Sequence, residues 1–285
     1  MIPRALLARF HHIFTTNYLL DADCEGAWRF QEGSGLVTAD ESQNTNTGDF
    51  KGAGEPSWQS GDPPKAYQLY YPNFQDDYID VGLDSTINFG SQSGDRWSHT
   101  SWIRVESLAP SWQVIICRRD SGGSQGYIWG FNSAGTLFLA GVGIGTNYGG
   151  VGALASVDTW YFAAMSLSLA HDISFYIDGV LSGTPAAFAS SRRTNNNTWI
   201  GRSKFGTSAP FYGDMGEQSA FSRPLDSTEI NAIMDDGLEG VTSNPFPVSL
   251  INRDVQSGYH CFVSAYLSAK VAGYDPLKLP DGTIF

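Results

Sequence analysis

The sequence predicts an all-β protein: a two-sheet antiparallel β-sandwich with one short helix after the last strands and an arm at each end. Three observations carry this expectation. Short runs rich in Trp, Tyr, Phe, Ile and Val recur between clusters of Gly, Asn, Asp and Ser. The stretch Ile173-Ser174-Phe175-Tyr176-Ile177-Asp178-Gly179-Val180 reads as two strands meeting at an Asp-Gly turn, where positive φ is required. Glycine reaches 32 residues and aromatics 13%, while charged residues make up only 16%, a balance that suits many short strands joined by turns.

Taken in order, residues 1–23 form an N-terminal arm in which Leu6, Leu7, Phe10, Ile13 and Phe14 fall on one helical face, with Arg4 and Arg9 on others. Three roles are open to it: a helix packed on its own domain, a partner-docking arm, or a membrane-associated segment. Arg9, His11 and His12 interrupt the apolar core that a signal peptide needs, so Sec-type export is not expected. The β pattern begins at Gly26-Ala27-Trp28-Arg29-Phe30 and resumes around Tyr67–Tyr71. Further strands are expected at Tyr78–Val81, His99–Val105, Gln113–Arg118, Tyr127–Phe131, Leu137–Val142, Trp160–Leu167, Ile173–Ile177 and Trp199–Gly201. The glycine-rich run Gly141–Gly150 lacks the Gly-Lys-Ser/Thr of a phosphate cradle and reads as a mobile or bulged loop. One helix is expected from Asp226 to Met234, with Asp226 as its cap, Glu229 completing a capping box and Gly237 as its stop. Residues 24–240 therefore form the sandwich domain. Beyond the break Ser243-Asn244-Pro245-Phe246-Pro247, the tail 241–285 carries the apolar stretch Tyr259–Leu267 and is expected to pack on the domain or on a neighbouring subunit.

Charge and cysteine usage narrow the function. With 29 acidic and 17 basic residues the net charge is −12, which disfavours binding to nucleic acid. No apolar run approaches the ~20 residues of a membrane-spanning helix, so no membrane insertion is expected. Cys24, Cys117 and Cys261 fit no metal or redox spacing and read as buried, reduced thiols.

In their order, several short pieces together resemble the laminin-G-like, concanavalin-A-like lectin/glucanase jelly-roll superfamily, from about Gly26 to Gly240. They begin with Ala27-Trp28-Arg29-Phe30-Gln31-Glu32-Gly33-Ser34-Gly35 and Asp40-Glu41-Ser42-Gln43-Asn44-Thr45-Asn46-Thr47-Gly48. Asp77-Tyr78-Ile79-Asp80-Val81, Ser101-Trp102-Ile103, Asp158-Thr159-Trp160-Tyr161-Phe162-Ala163, Tyr176-Ile177-Asp178-Gly179 and Ile200-Gly201-Arg202 continue the series. Phe211-Tyr212-Gly213-Asp214-Met215-Gly216-Glu217 and Arg223-Pro224-Leu225 close it.

The resemblance implies sites as well as a fold. Glycosidases of this superfamily carry Glu-x-Asp-x-x-Glu on one strand, one carboxylate acting as nucleophile and another as acid/base. Here Asp214 and Glu217 stand in that pattern, but Tyr212 replaces the first Glu, so no catalytic activity is expected. The resembled domains hold a structural calcium between an Asp-x-Ser-Gly-Asn loop and an Asp-Glu pair. Asp40, Asn44, Asn46 and Glu217 match in type, while Gly216 and Gln43 depart; the competing reading is a turn in which Asp40 and Asn44 bond their own backbone. Trp112, Tyr148, Phe205 and Tyr212 fall in loops or strand ends and are the candidate ligand contacts. The expected function is that of a non-catalytic binding or adhesion module for glycan or protein. It is expected on the surface of a larger assembly such as a phage virion, or extracellularly, with self-association or subunit contacts through the arms. A purely structural decoration subunit and a glycoside hydrolase are the alternatives.

Overall fold

The structure is a computed structural model that describes residues 18–60, 67–71, 77–83, 86–89, 96–109, 112–120, 125–141, 147–154, 156–168, 172–182, 186–187, 195–204 and 210–239. The chain divides into two units, 1–240 and 241–285, and all described residues belong to the first.

A 3-10 turn at Tyr18–Leu20 leads into β1 (Cys24–Trp28), β2 (Val37–Thr38), β3 (Gly48–Lys51) and β4 (Ser57–Ser60). Then come β5 (Tyr67–Tyr71), β6 (Tyr78–Asp80), β7 (Trp97–Val105), β8 (Trp112–Arg119), β9 (Gly126–Asn132) and β10 (Thr136–Gly141). The series continues with β11 (Asn147–Ala153), β12 (Trp160–Leu167), β13 (Asp172–Ile177), β14 (Val180–Leu181), β15 (Ala186–Ala187), β16 (Trp199–Ile200) and β17 (Gly213–Phe221). Helix α1 spans Ser227–Glu239. A nine-stranded sheet runs β14-β13-β12-β7-β17-β5-β4, with β1 on β17 and β15 on β13. An eight-stranded sheet runs β11-β10-β9-β8-β16-β6-β3-β2, and every described pairing in both sheets is antiparallel.

Alternation along the strands builds the interior. Ile103, Val105, Tyr161, Ala163, Met165 and Met215 point inward from the nine-stranded sheet to meet Ile79, Ile115, Tyr127, Trp129, Phe131, Leu137, Leu139 and Ile200 from the other. The intervening residues Trp102, Phe162, Ala164 and Phe221 point the opposite way, into a second apolar layer with Tyr18, Leu19, Leu225, Ile230, Ile233 and Met234. The nine-stranded sheet is thus covered on its outer side by the helix and by the 3-10 turn. All nine residues of β17 are buried.

The Asp-Gly hairpin forms as expected: Asp178 has φ 51° and Gly179 φ 73°, the pair of left-handed residues that a type I′ turn requires. The turn is anchored because Asp178 N donates to Phe162 O at 2.8 Å and Phe162 N donates to the Asp178 carboxylate at 2.9 Å. The capping box also forms. Thr228 N and Glu229 N donate to Asp226 Oδ1 at 2.8 and 2.9 Å, and Asp226 N donates to Glu229 Oε2 at 3.0 Å.

Two local expectations are corrected. Helix α1 runs through Gly237 to Glu239; glycine stops a helix only when it turns left-handed, and within one it costs about 1 kcal/mol. The glycine-rich run is not all loop. Residues Asn147–Ala153 form β11 against β10, with a register shift between Thr136 and Phe138 that absorbs the irregular sequence. Cys24 and Cys117 are buried free thiols, and Cys261 lies outside the described residues.

Two predictions follow from this packing. Gly201 has φ 89°, and a Cβ there would sit 2.3 Å from the Tyr71 ring, itself fixed in the core. Gly201→Ala is therefore expected to lower the unfolding free energy by roughly 3 kcal/mol, read by denaturant titration. His99 is buried between Trp129, Phe89 and Tyr127, its Nε2 3.0 Å from the Tyr127 hydroxyl, and burial lowers its pKa from 6.5 to about 3. Its folded pKa is depressed, so the unfolded chain binds the proton first, and stability is lost as pH falls from 6.5 towards 3. At pH 5 this amounts to about 2 kcal/mol, and His99→Gln should lose less stability between pH 7 and pH 5 than the parent does.

Candidate functional site

Strand β17 carries the residues that align with a glycosidase's carboxylates. Asp214 pairs across the ladders with Arg104 on one side and Tyr70 on the other, so alternation places all three on the outer side of the nine-stranded sheet. Arg104 donates from Nε and Nη2 to Asp214 Oδ2 at 2.9 and 2.7 Å, and the Asp214 side chain is only 2% exposed. The same guanidinium lies 5.6 Å from the Trp160 ring centre. A register shift between Met215 and Gln218 separates Glu217 from Asp214 along the strand. Glu217 is 5% exposed and sits 3.6 Å from Arg29 Nε. Tyr212, in the first position of the pattern, hydrogen-bonds Glu106, and that bond pushes its phenol up to about 12. The Tyr70 hydroxyl donates to the same Glu106 at 3.4 Å. Both carboxylates of the strand therefore face arginine. A general acid must instead hold its proton near neutral pH, which calls for an unpaired, desolvated carboxyl.

The loop expected to hold calcium is closed by its own backbone. Asp40 Oδ1 accepts from Ala27 N and Ser42 N at 2.8 and 2.9 Å, and Oδ2 accepts from Asn46 N at 3.0 Å. Asn46 Nδ2 donates to Glu25 O and Thr86 Oγ1, and Trp28 Nε1 donates to Asn46 O at 2.6 Å. Asn44 Nδ2 donates to Cys24 O and to the Glu25 carboxylate. The fourth expected ligand, Glu217, lies 3.6 Å from Arg29 Nε, and the same guanidinium stands 3.8 Å from Glu41 of the loop. Calcium takes six to eight oxygens, carboxylates foremost. This donor set does not fit it, because Asp40 is engaged by three amides and a guanidinium already lies beside Glu217. Among the described residues no group of three or more His, Cys, Asp or Glu side chains is placed to hold a metal. Arg29 is the functional side chain here that sequence reasoning passed over.

The eight-stranded sheet presents a different surface on the side turned away from the core. Ile79 and Ile200 point inward, so their neighbours Tyr78, Asp80 and Trp199 point outward. Tyr78 and Trp199 stack with ring centres 4.0 Å apart at 30°. Arg202 lies over the Tyr78 ring at 5.8 Å and Lys204 over the Trp199 ring at 4.9 Å. Beside them Asn197 Nδ2 donates to both oxygens of Asp80 at 2.8 Å, and Gly82 N donates to Asp80 Oδ1 at 2.9 Å. Lys51 stands opposite Tyr78 in the ladder, and Asp49 opposite Asp80. Further along the same face Val114, Cys117, Ile128, Phe138 and Ala140 form a small apolar cluster.

The expected ligand contacts scatter over this framework. Trp112 lies on the same outward face, half-buried against Phe138 with ring centres 4.6 Å apart. Tyr148 of β11 pairs with Leu139 of β10, Phe205 lies outside the described residues, and Tyr212 directly precedes β17 of the other sheet, its amide donating to Gln113 Oε1 at 2.9 Å. Tyr78 and Trp199 were assigned to strands without a binding role. The signal that separates them from core aromatics is that each alternates with an inward Ile and that Arg202-x-Lys204 follows directly.

Because the loop is closed by amides and Arg29, the thermal unfolding midpoint is expected to be the same in excess EDTA and in excess calcium. A midpoint that rises by several degrees with calcium would show that the ion enters after all.

Comparison with known proteins agrees with this architecture. Domain 4 of AbnA, an extracellular GH43 arabinanase from Geobacillus stearothermophilus solved with arabinotriose, superposes with a TM-score of 0.57 at 16% identity, over 74% of this chain and 98% of that one. The binding domain of Paraclostridial Mosquitocidal Protein 1 gives 0.59 at 14% identity, over 75% and 52%. A Trypanosoma rangeli sialidase bound to 2,3-difluorosialic acid gives 0.55 at 12% identity, over 84% and 39%. The chain thus spans about half or less of the latter two, and these likenesses are of fold. No curated protein sequence matches it. The family model for the concanavalin A-like lectin/glucanase superfamily matches residues 75–231, more than half of the chain, and the chain belongs to that superfamily.

Proposed function

We propose that the protein is a non-catalytic recognition module that binds glycan through the outward face of its eight-stranded sheet. The observation that carries this reading is the stacked Tyr78–Trp199 pair beside the Asp80–Asn197 dyad. Sugar recognition combines apolar ring faces, which pack on aromatics, with carboxylate and amide oxygens that accept from hydroxyls. The arginines beside Asp214 and Glu217 support the absence of hydrolysis, since each stabilises an ionised, occupied carboxylate. Several similar folds belong to binding domains, and the arabinanase domain was solved with an oligosaccharide, which supports the same class of role.

The terminal segments support an additional role in assembly, as the contacts of a surface subunit of a larger particle such as a virion. The apolar face of Leu6, Leu7, Phe10, Ile13 and Phe14 and the stretch Tyr259–Leu267 are suited to docking rather than to solvent. Deleting residues 1–17 or 241–285 is expected to change the oligomeric state on size exclusion; an unchanged monomer in both cases removes the assembly role.

For recognition, a glycan array probed with the full chain should give discrete positives that Trp199→Ala reduces at least tenfold while leaving the thermal midpoint within a few degrees. An array blank for the parent sinks the proposal.

A further inference from the structure

We infer that one water molecule is held inside the sandwich between the Tyr71 hydroxyl and the Asp77 carboxylate, where it links the two sheets. Tyr71 ends β5 of the nine-stranded sheet, and Asp77 leads into β6 of the eight-stranded one. Both residues are 1% exposed. Asp77 Oδ1 accepts from Gly54 N at 2.9 Å, whereas Asp77 Oδ2 and the Tyr71 hydroxyl are buried without a hydrogen-bond partner among the described residues. Three features bring these two atoms to the same place. Alternation gives Asp77 the inward parity of Ile79, with Tyr78 between them facing out. The register sets Ile200 opposite Ile79, so Gly201, the next residue, lies beside the start of β6. The Tyr71 ring rests against that glycine, because a Cβ on Gly201 would stand 2.9 Å from Cζ, the carbon bearing the hydroxyl. Burial and then the Asp77 charge raise the Tyr71 pKa, which keeps the phenol protonated and able to donate.

A buried carboxylate oxygen and a buried hydroxyl that meet neither protein nor water are costly, and folded proteins rarely leave them so. The two atoms do not bond each other. A water between them answers both needs: the Tyr71 O–H donates to the water oxygen, and a water proton is donated to Asp77 Oδ2. A metal ion is the weaker occupant. Calcium takes six to eight oxygens, carboxylates foremost, and Asp77 belongs to no group of three or more His, Cys, Asp or Glu side chains among the described residues. An internal water asks for only two to four polar partners. The bridge runs from one sheet to the other, and through Asp77 Oδ1 it also holds the turn that follows β3.

The test is a high-resolution crystal structure of the full chain, solved for the parent, Tyr71→Phe and Asp77→Asn, with thermal midpoints measured in sodium, in potassium and in EDTA. The parent is expected to show one density peak about 2.8 Å from both Tyr71 Oη and Asp77 Oδ2. Its midpoint should be the same in all three solutions. Tyr71→Phe, which removes one partner, should weaken or abolish the peak and lower the midpoint by about 2–4 °C. Asp77→Asn keeps a polar atom towards the water and should retain the peak. A direct Oη–Oδ2 contact, or no peak between the two atoms, overturns the inference. So does a peak surrounded by six or more oxygens at about 2.4 Å with a midpoint that follows the cation, which makes the site a metal centre. A peak unchanged in Tyr71→Phe means that the water answers Asp77 alone, and it overturns the link between the sheets.

Discussion

The central strands of the nine-stranded sheet, β7, β12 and β17, are buried on both faces, and most of the molecule follows from that constraint. Strands β7, β12 and β17 send alternate side chains into the space between the sheets and into the layer under helix α1, so both parities are largely buried. Every polar group on these strands must then find a partner inside the protein. The pairings are visible: the hydroxyls of Thr100 and Ser219 meet, Gln218 donates to Ser101, Ser98 and Ser166 hold the Leu225 amide, and Asp214 takes Arg104. The eight-stranded sheet carries no described helix on its outer side, where Val114, Cys117, Ile128 and Phe138 are buried and Tyr78, Trp199, Arg202 and Lys204 are half-buried.

Much of this was legible in the sequence because its signals are local. The apolar run Trp160–Leu167 and Asp178-Gly179 after Ile177 need only neighbouring residues to be read, and both appear where expected. The capping box of Asp226 and Glu229 is equally local. Strand β11 was missed because its Asn-Tyr-Gly-Gly composition has no strand propensity of its own and is held by the ladder from β10. The candidate site was harder to read. Which of eight tryptophans points outward depends on which face of which sheet is covered, a property of the assembled sandwich rather than of any window.

Arg29 illustrates the same limit. Its neighbours Trp28 and Phe30 are fully buried, and nothing in the local pattern says that a guanidinium 7% exposed stands among Glu41 and Glu217. The pairing of β1 with β17 brings Glu217 to Arg29, and the bond from Glu41 N to Ala27 O brings the other carboxylate. Burial raises the Glu41 pKa, and the charge of Arg29 opposes that rise.

Arg223 binds Asp21 and Asp23 just after the 3-10 turn and Glu229 in the first turn of α1. It thereby fastens the place where the chain enters the fold to the element by which it leaves. Entry and exit both lie on the outer side of the nine-stranded sheet, and the cation-flanked aromatics lie on the outer side of the other. The domain is therefore two-sided, with its first and last described elements fastened together on one face and its outward aromatic pair on the other.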